Sequence, residues 1–158
     1  MSSRKFALVA LGGTFSILHK GHKSLLLTAF KVADEVIIGL STDYLVKKIV
    51  KKHYVPPYEI RFRNLCRFLA EKNLIHRARI VPLIDPYGPS IDEDKLEAIV
   101  VSEEGYKRAL EINDIRICCN LPPLKIIRIE MIMADDGKPL SCTRILHGEI
   151  NSEGHVIT

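Results

Sequence analysis

Apolar residues follow two alternating patterns along this chain. Short continuous apolar runs, such as residues 6–11, are typical of strands buried on both faces. Apolar spacings of three and four, as within residues 23–33, indicate amphipathic helices. The patterns predict strand 6–11, helix 23–33, strand 35–40, a short basic helix from 42 or 43 to 52, helix 58–73, strand 79–83, strand 96–101, helix 103–117, strand 125–131, helix 140–147 and a polar tail over 149–158.

Strands separated by helices imply a parallel sheet with helices on both faces. The predicted fold class is therefore α/β: one doubly wound, Rossmann-like domain over residues 1–158 with a five-stranded parallel sheet. Ligands bind such sheets at the carboxyl ends of the strands. The loops expected to form the site are those after Leu11, Leu40, Leu83, Val101 and Met131, and all five carry polar or glycine residues.

The first of these loops is the most informative segment. Residues 12–22, GGTFSILHKGH, join the first predicted strand to the first predicted helix. Gly12 and Gly13 allow the backbone to approach a ligand, and a helix start presents unpaired N–H groups and a positive dipole end. His19 and His22 are three positions apart, so both rings can point to one anion. The loop therefore indicates a polyphosphate site.

Two chemical roles are open to these histidines. One ring could act as a general base, or both could donate hydrogen bonds to phosphate oxygens. We favour donation, because a nearby phosphate stabilises the protonated ring and reactions at a polyphosphate depend on positioning and charge neutralisation. A structural alternative is that the histidines only cap the helix.

Composition and charge narrow the class of protein. Hydrophobic residues make up 47% and charged residues 27%, as in globular domains, and no apolar run approaches the ~20 residues that span a bilayer. The run at 6–11 is short for a signal peptide and ends at a glycine pair, so we expect a strand and a cytoplasmic protein. The net charge of +4 suits an anionic small ligand, and no basic stripe with interleaved aromatics indicates nucleic acid.

The four cysteines form no CxxC pair, and Cys66, Cys118 and Cys119 are expected to be buried apolar residues.

Several ordered motifs resemble a known family. GGTF followed by HxGH is similar to the nucleotidyltransferase superfamily related to class I aminoacyl-tRNA synthetases. PLIDPYGPS (82–90), VVSEEGYKRALEINDIR (100–116) and DGKPLSCTRILHGEI (136–150) resemble the archaeal and eukaryotic branch of phosphopantetheine adenylyltransferase, and PYEIRFRNL (57–65) resembles its helix after the second strand. The resemblance implies adenylyl transfer from ATP to 4′-phosphopantetheine, which yields dephospho-coenzyme A and pyrophosphate.

The resemblance also implies roles for single residues. His22 would stabilise the pentavalent transition state, His19 would hold the ATP phosphates and Thr14 would orient the attacking phosphate. Ser141 and Thr143 would bind the β- and γ-phosphates at a helix start. The implied catalytic residues are His22, His19 and Thr14; the implied ATP-binding residues are Gly12, Gly13, Thr14, Phe15, Gly21, His22, Ser102, Glu103, Ser141, Cys142, Thr143 and Arg144; the implied acceptor-binding residues are Thr14, Lys47, Lys48 and Asp85.

Some of these assignments stay open. Either Glu103 or Glu104 would meet the adenine or ribose, and Lys47 is preferred to Lys48 for the acceptor phosphate. Asp85 begins DPYGP, which has turn chemistry, so it either closes a turn or contacts the acceptor. Arg61 and Arg63 are expected on the surface, and Arg116 is either a surface residue or a ligand.

The chain departs from the family pattern at several positions. Cys142 replaces a serine, and we expect its N–H rather than its thiol to contact phosphate. The other departures are Ser16 in place of a common Asp, Gly105 for Thr, Lys107 for Arg and Leu146 for Arg.

The family resemblance leaves alternative functions to separate. One is another HxGH enzyme, such as a cytidylyltransferase or an FAD or NMN adenylyltransferase, and another is a nucleotide-binding module without turnover. Magnesium is expected to bridge the triphosphate, with no dedicated protein ligands. The expected partners are ATP and 4′-phosphopantetheine, with no nucleic acid or membrane, and the oligomeric state is not predicted.

Overall fold

The computed structural model describes residues 4–49, 53–130 and 132–157. Within these ranges the chain contains five strands and five α-helices, with short 3-10 turns between some of them. The elements in chain order are β1 (Phe6–Gly13), α1 (Lys20–Val32), β2 (Ala33–Ser41), α2 (Asp43–Ile49), α3 (Tyr58–Glu71), β3 (Ala78–Leu83), β4 (Ala98–Val101), α4 (Tyr106–Cys118), β5 (Lys125–Arg128) and α5 (Cys142–Leu146).

The five strands form one sheet in the order β3-β2-β1-β4-β5, and every neighbouring pair is parallel. The strands β2 and β3 are added in turn on one side of β1, and the chain then crosses to the other side of β1, where it forms β4. The strand order therefore reverses between β1 and β4, which opens a crevice at their carboxyl ends where ligands bind in this fold. The predicted α/β class with a five-stranded parallel sheet is confirmed.

The central strands are buried on both faces, which explains their continuous apolar runs. Val9 and Leu11 of β1 pack in a cluster with buried residues of α1 and α3. Leu8 and Ala10, which alternate with them, pack with Ala109 of α4 on the opposite face. The two clusters hold the carboxyl ends of the strands in a rigid framework.

Several boundaries differ from the expected ones. Helix α1 begins at Lys20 rather than residue 23, and the predicted helix 103–117 starts as a 3-10 turn over Glu103–Gly105 before α4. The predicted strands 96–101 and 125–131 are shorter, as β4 and β5, and Met131 lies outside the described residues. Helix α2 is described to Ile49, and residues 50–52 of the predicted basic helix also lie outside that range.

The C-terminal segment packs against the domain. Ile150 is fully buried with Ala134 and Leu140, and it forms an antiparallel bridge with Val156 within the segment predicted as a polar tail. The Lys20 N–H at the start of α1 donates to the Ser152 carbonyl at 2.9 Å. The last part of the chain is thereby held beside the GGTF–HxGH loop. In the described part of the chain, no helix combines the length and apolar character needed to cross a membrane.

Candidate active site

Two adjoining cavities open at the carboxyl ends of the strands. The first, which we call the histidine cavity, is lined by His19, His22 and residues 141–143. The second, the apolar cavity, lies above β1 to β4 and includes Leu83 and Tyr87. Thr14 and Ser102 line both cavities, so they lie at the junction. Two ligands bound in these cavities would meet beside Thr14.

His19 caps α1 and also lines the histidine cavity. Its Nδ1 accepts hydrogen bonds from the N–H groups of Gly21 at 3.0 Å and His22 at 3.3 Å. With Nδ1 acting as an acceptor, the neutral ring carries its proton on Nε2. His19 is therefore both a helix cap and a hydrogen-bond donor available to a ligand, which combines two roles that the sequence left as alternatives.

His22 is oriented by the loop that precedes it. Its Nδ1 lies 2.8 Å from the Ile17 carbonyl and donates to it, which leaves Nε2 for the cavity. The His19 and His22 rings stack, with centroids 3.7 Å apart and planes 14° from parallel. Phe15, which is buried and has φ of 50°, packs edge-on against His22 at 5.1 Å.

Burial controls the charge of the two rings. It lowers the pKa of His19 to about 4, and burial together with the neighbouring His19 lowers the pKa of His22 to about 3. Both rings are therefore neutral near pH 7 in this environment. A polyphosphate beside them favours the charged form, so anion binding and protonation of the rings are coupled.

Gly21 lies directly beside the His19 ring. A Cβ at this position would lie 2.8 Å from Cε1 and 3.0 Å from Nδ1 of His19. The glycine of HxGH is therefore required by the space that the capping imidazole occupies, since α1 itself would accept alanine.

The start of α5 also lines the histidine cavity, close to the two rings. Ser141 is the N-cap of α5 and accepts from the Arg144 N–H at 3.1 Å. Cys142 Sγ lies 3.6 Å from the Ile17 carbonyl, the same group that orients His22. Segments far apart in sequence thus meet around one cavity, as the strand-end argument predicted.

The donor set of this cavity suits an anion better than a protein-bound metal. In the described ranges, His19, His22 and Cys142 form a group whose potential ligand atoms lie within 4.8 Å of one another. The rings are nearly parallel and Nδ1 of His19 serves the helix cap, so their lone pairs do not converge on one point. Magnesium instead prefers oxygen ligands and water. Glu104 and Glu130 supply carboxylates on the cavity wall, which fits an ion carried mainly by substrate phosphates.

Two residues expected to bind ATP do not reach the cavity. Glu103 lies on the surface and pairs with Arg128 at 3.4 Å, whereas Glu104 lines the histidine cavity. The Arg144 guanidinium pairs with Asp136 and with Glu149. These pairs raise the pKa of Arg144, and its side chain braces the C-terminal segment.

The three residues expected to bind only the acceptor also lie away from the cavity walls. Lys48 contacts Tyr44 on the exposed face of α2, and Lys47 is exposed beside it, whereas Leu45 of α2 lines the apolar cavity. Asp85 Oδ1 accepts from the N–H groups of Tyr87 at 2.9 Å and Gly88 at 2.8 Å, so it closes the turn. The DPYGP loop contributes the Tyr87 ring to the apolar cavity instead.

The remaining implied residues line one or both cavities. Gly12 and Gly13 end β1 at the apolar cavity, and Phe15 and Gly21 line the histidine cavity. Sequence reasoning missed Glu130, which lines the histidine cavity after β5. Its position near the carboxyl end of the predicted strand 125–131 was the available signal.

Two arginines and two cysteines differ from expectation. Arg61, expected on the surface, is fully buried, while Arg63 is exposed as predicted. Arg116 is also fully buried and donates to the carbonyls of Ser90, Glu93 and Pro122, so it holds the loop after β3. Backbone carbonyls accept hydrogen bonds from both guanidinium groups, although the buried Nη2 of Arg116 has no partner among the described residues. Cys118 and Cys119 were wrongly expected to be buried; they are exposed, because α4 ends there at the surface.

Fold and site together define an α/β protein of the Rossmann-like class with a histidine-lined cavity at the β1–α1 turn. The chain belongs to the cytidylyltransferase-like family, whose sequence model matches residues 10–148. The family resemblance predicted from the motifs is confirmed by curated archaeal relatives.

A phosphopantetheine adenylyltransferase from Methanothermobacter thermautotrophicus is 44% identical over 98% of this chain and 92% of its own length. One from Methanopyrus kandleri is 44% identical over 93% of this chain and 92% of its own. A bifunctional phosphopantetheine adenylyltransferase/NTP phosphatase from Thermoplasma acidophilum is 46% identical over 96% of this chain, and the chain spans 45% of that longer protein.

Solved structures agree on the fold. A protein of unknown function from Archaeoglobus fulgidus superposes with a TM-score of 0.70 at 34% identity, over 78% of this chain and 89% of that chain. A putative nicotinate-nucleotide adenylyltransferase from Vibrio parahaemolyticus has a TM-score of 0.58 at 14% identity, over 94% of this chain and 83% of that chain, and it supports the fold alone.

Proposed function

We propose that this chain transfers the adenylyl group from ATP to 4′-phosphopantetheine, forming dephospho-coenzyme A and releasing pyrophosphate. The observation that carries the proposal is the pair of stacked imidazoles in a cavity that meets an apolar cavity at Thr14. The names of the archaeal relatives support the same activity.

The two cavities suit the two substrates. The triphosphate would lie between the histidines and the start of α5, where Ser141 and Thr143 line the wall and the unpaired N–H groups of the helix start would bind its oxygens. The pantetheine arm would occupy the apolar cavity beside Tyr87. Its phosphate would then reach the α-phosphorus beside Thr14.

The transfer needs no covalent intermediate. An oxygen of the acceptor phosphate attacks the α-phosphorus in line, and the bond from that phosphorus to the bridging oxygen of pyrophosphate breaks. His19 donates from Nε2 as it stands, and His22 donates from Nε2 once the bound phosphates have raised its proton affinity. Both donors then neutralise charge that develops in the transition state. We propose that magnesium enters with ATP; Glu104 and Glu130 on the wall would help to hold it, and it would supply further charge neutralisation.

A cytoplasmic location belongs to the same proposal. It is supported by the apolar run near the N-terminus, which is β1, paired with β2 and β4 in the middle of the sheet.

A substrate screen tests the proposal. Initial rates of pyrophosphate release would be measured with ATP or CTP against 4′-phosphopantetheine, NMN, FMN, glycerol phosphate and choline phosphate. We expect turnover with ATP and 4′-phosphopantetheine. Turnover with CTP alone would contradict the proposal, and nucleotide binding without pyrophosphate release would indicate a binding module.

A further inference from the structure

Arg61, in the first turn of α3, is a fully buried cation with an extensive set of partners. Its Nε donates to the Pro56 carbonyl at 2.8 Å, and Nη1 donates to the carbonyls of Thr14 at 3.0 Å and Ser41 at 2.7 Å. Its Nη2 pairs with Asp43 Oδ1 at 3.0 Å. One guanidinium therefore joins the β1–α1 loop, the end of β2, the start of α2 and the turn before α3.

The contact with Thr14 lies at the junction of the two cavities. The Ser41 hydroxyl donates to the Gly13 carbonyl at 3.3 Å, so the ends of β1 and β2 are already linked. Phe15, the next residue after Thr14, has φ of 50°, a conformation that non-glycine residues adopt only when their surroundings hold it. The Thr14 carbonyl bond to Arg61 is one of the contacts that hold the backbone here.

Burying a charge costs free energy unless well-placed partners and hydrogen bonds offset the loss of hydration. Asp43, its carboxylate partner, is half exposed, and a well-packed apolar side chain often stabilises a fold as well as a buried ion pair. A planar guanidinium differs from other side chains because its fixed fork of five donors can bind several carbonyls at once. The structure uses that fork to fix the positions of separate loops.

We propose that Arg61 is a positioning residue for the transfer reaction: by fixing the Thr14 carbonyl against the end of β2, it sets where the acceptor phosphate meets the nucleotide. This inference rests on the proposed function. Arg61 touches no substrate in this account and acts through Thr14, which lines both cavities.

The chain offers a matched control. Arg77 also binds three backbone carbonyls, those of Phe30, Ala33 and Asp34, at distances of 2.6 to 2.9 Å. These carbonyls lie at the α1–β2 connection, at the amino end of the sheet and away from both cavities. Replacing Arg77 therefore removes a similar set of hydrogen bonds without touching the site.

The test compares Arg61→Met and Arg61→Lys with Arg77→Met and Arg77→Lys. Each variant is assayed well below its unfolding midpoint for kcat and for the KM of each substrate. We expect the Arg61 variants to lose about 10- to 100-fold in kcat and to show a raised KM for 4′-phosphopantetheine, with the KM for ATP nearly unchanged. We expect Arg61→Lys to retain more activity than Arg61→Met, and both Arg77 variants to keep wild-type kinetics. A smaller folded fraction alone would not raise one KM selectively.

A second readout is independent of turnover. Backbone amide NMR signals of Thr14 and Phe15 are expected to shift in Arg61→Lys and to stay in place in Arg77→Lys. Kinetics and amide signals that match between Arg61→Lys and Arg77→Lys would overturn the proposal, even if Arg61→Met fails to fold. If the wild-type chain shows no turnover with any acceptor, the proposed function fails, and unshifted Thr14 and Phe15 signals would then overturn the positioning role as well.

Discussion

Replacing Gly21 by alanine should separate the activity of this protein from its stability. The new Cβ would lie 2.8 Å from Cε1 of His19, about 0.6 Å closer than the 3.4 Å at which ordinary contact begins. The backbone of α1 fits alanine well, so the imidazole is the group that must move. Moving it weakens the two hydrogen bonds that its Nδ1 accepts and displaces Nε2 in the cavity.

The two effects on stability oppose each other. Alanine in a helix is favoured over glycine by about 1 kcal/mol. A weakened N-cap costs about 0.5–2 kcal/mol. The free energy of unfolding should therefore change by no more than about 1 kcal/mol, since the two terms have similar size and opposite sign. Catalysis has no such compensation, and displacing one transition-state donor is expected to lower kcat by about 10- to 100-fold.

The assay combines denaturant unfolding with pyrophosphate release. Lys31→Ala, at the exposed far end of α1, is the control and should leave both quantities near wild type. In a His19→Ala background, Gly21→Ala should lower kcat no further, because the ring it displaces is gone. Wild-type kcat in the single Gly21→Ala variant would refute the assigned role of His19, and so would additive losses in the double variant.

Three further predictions concern the same cavity. His22→Ala should lower kcat by about 10²- to 10³-fold and hardly change ATP affinity, as kinetics and calorimetry would show; equal losses in both would mean that His22 serves only ground-state binding. Stability should fall as the pH is lowered from about 7 toward 4, because unfolded histidines protonate near 6.5 and the folded pKa values of His19 and His22 are about 4 and 3. Urea unfolding at several pH values would show a smaller fall in His22→Gln, whereas an unchanged fall would contradict the assignment. Ser141→Ala removes the α5 N-cap, so it should lower the free energy of unfolding by about 0.5–1 kcal/mol and raise the KM for ATP. Ser152→Ala, with its side chain outside the cavity, is the control, and matching KM values would count against a phosphate site at α5.

The start of α1 shows where local sequence patterns fail. The apolar periodicity places the helix start near residue 23, whereas α1 begins at Lys20. The missing turn is stabilised by the His19 side chain, and histidine is not among the residues preferred as N-caps. A prediction based on N-cap preferences therefore misses the true start of α1, because the capping residue is a histidine of the functional motif.

Arg61 and Arg144 show a second kind of failure. Both are basic residues within segments that resemble the family, and the sequence suggested a surface residue and a phosphate ligand, respectively. The partners of Arg61 include Thr14 and Ser41, which lie far from it along the chain. Arg144 pairs with Asp136 and Glu149 rather than facing the cavity. Hydrogen-bond partners of this kind depend on how elements pack, and hydrophobic periodicity carries no information about them.

The order of buried strands and amphipathic helices, and with it a parallel sheet whose first strand leads into the GGTF–HxGH loop, was determined by the sequence alone, because burial on both faces of a strand and on one face of a helix leaves a periodic signal. Only the tertiary structure decided which side chains face the cavities. Glu104 lines the histidine cavity whereas Glu103 pairs with Arg128 on the surface, and Asp85 closes a turn. The physical reason is that orientation at strand ends depends on hydrogen bonds and packing between segments distant in sequence, which no local pattern records.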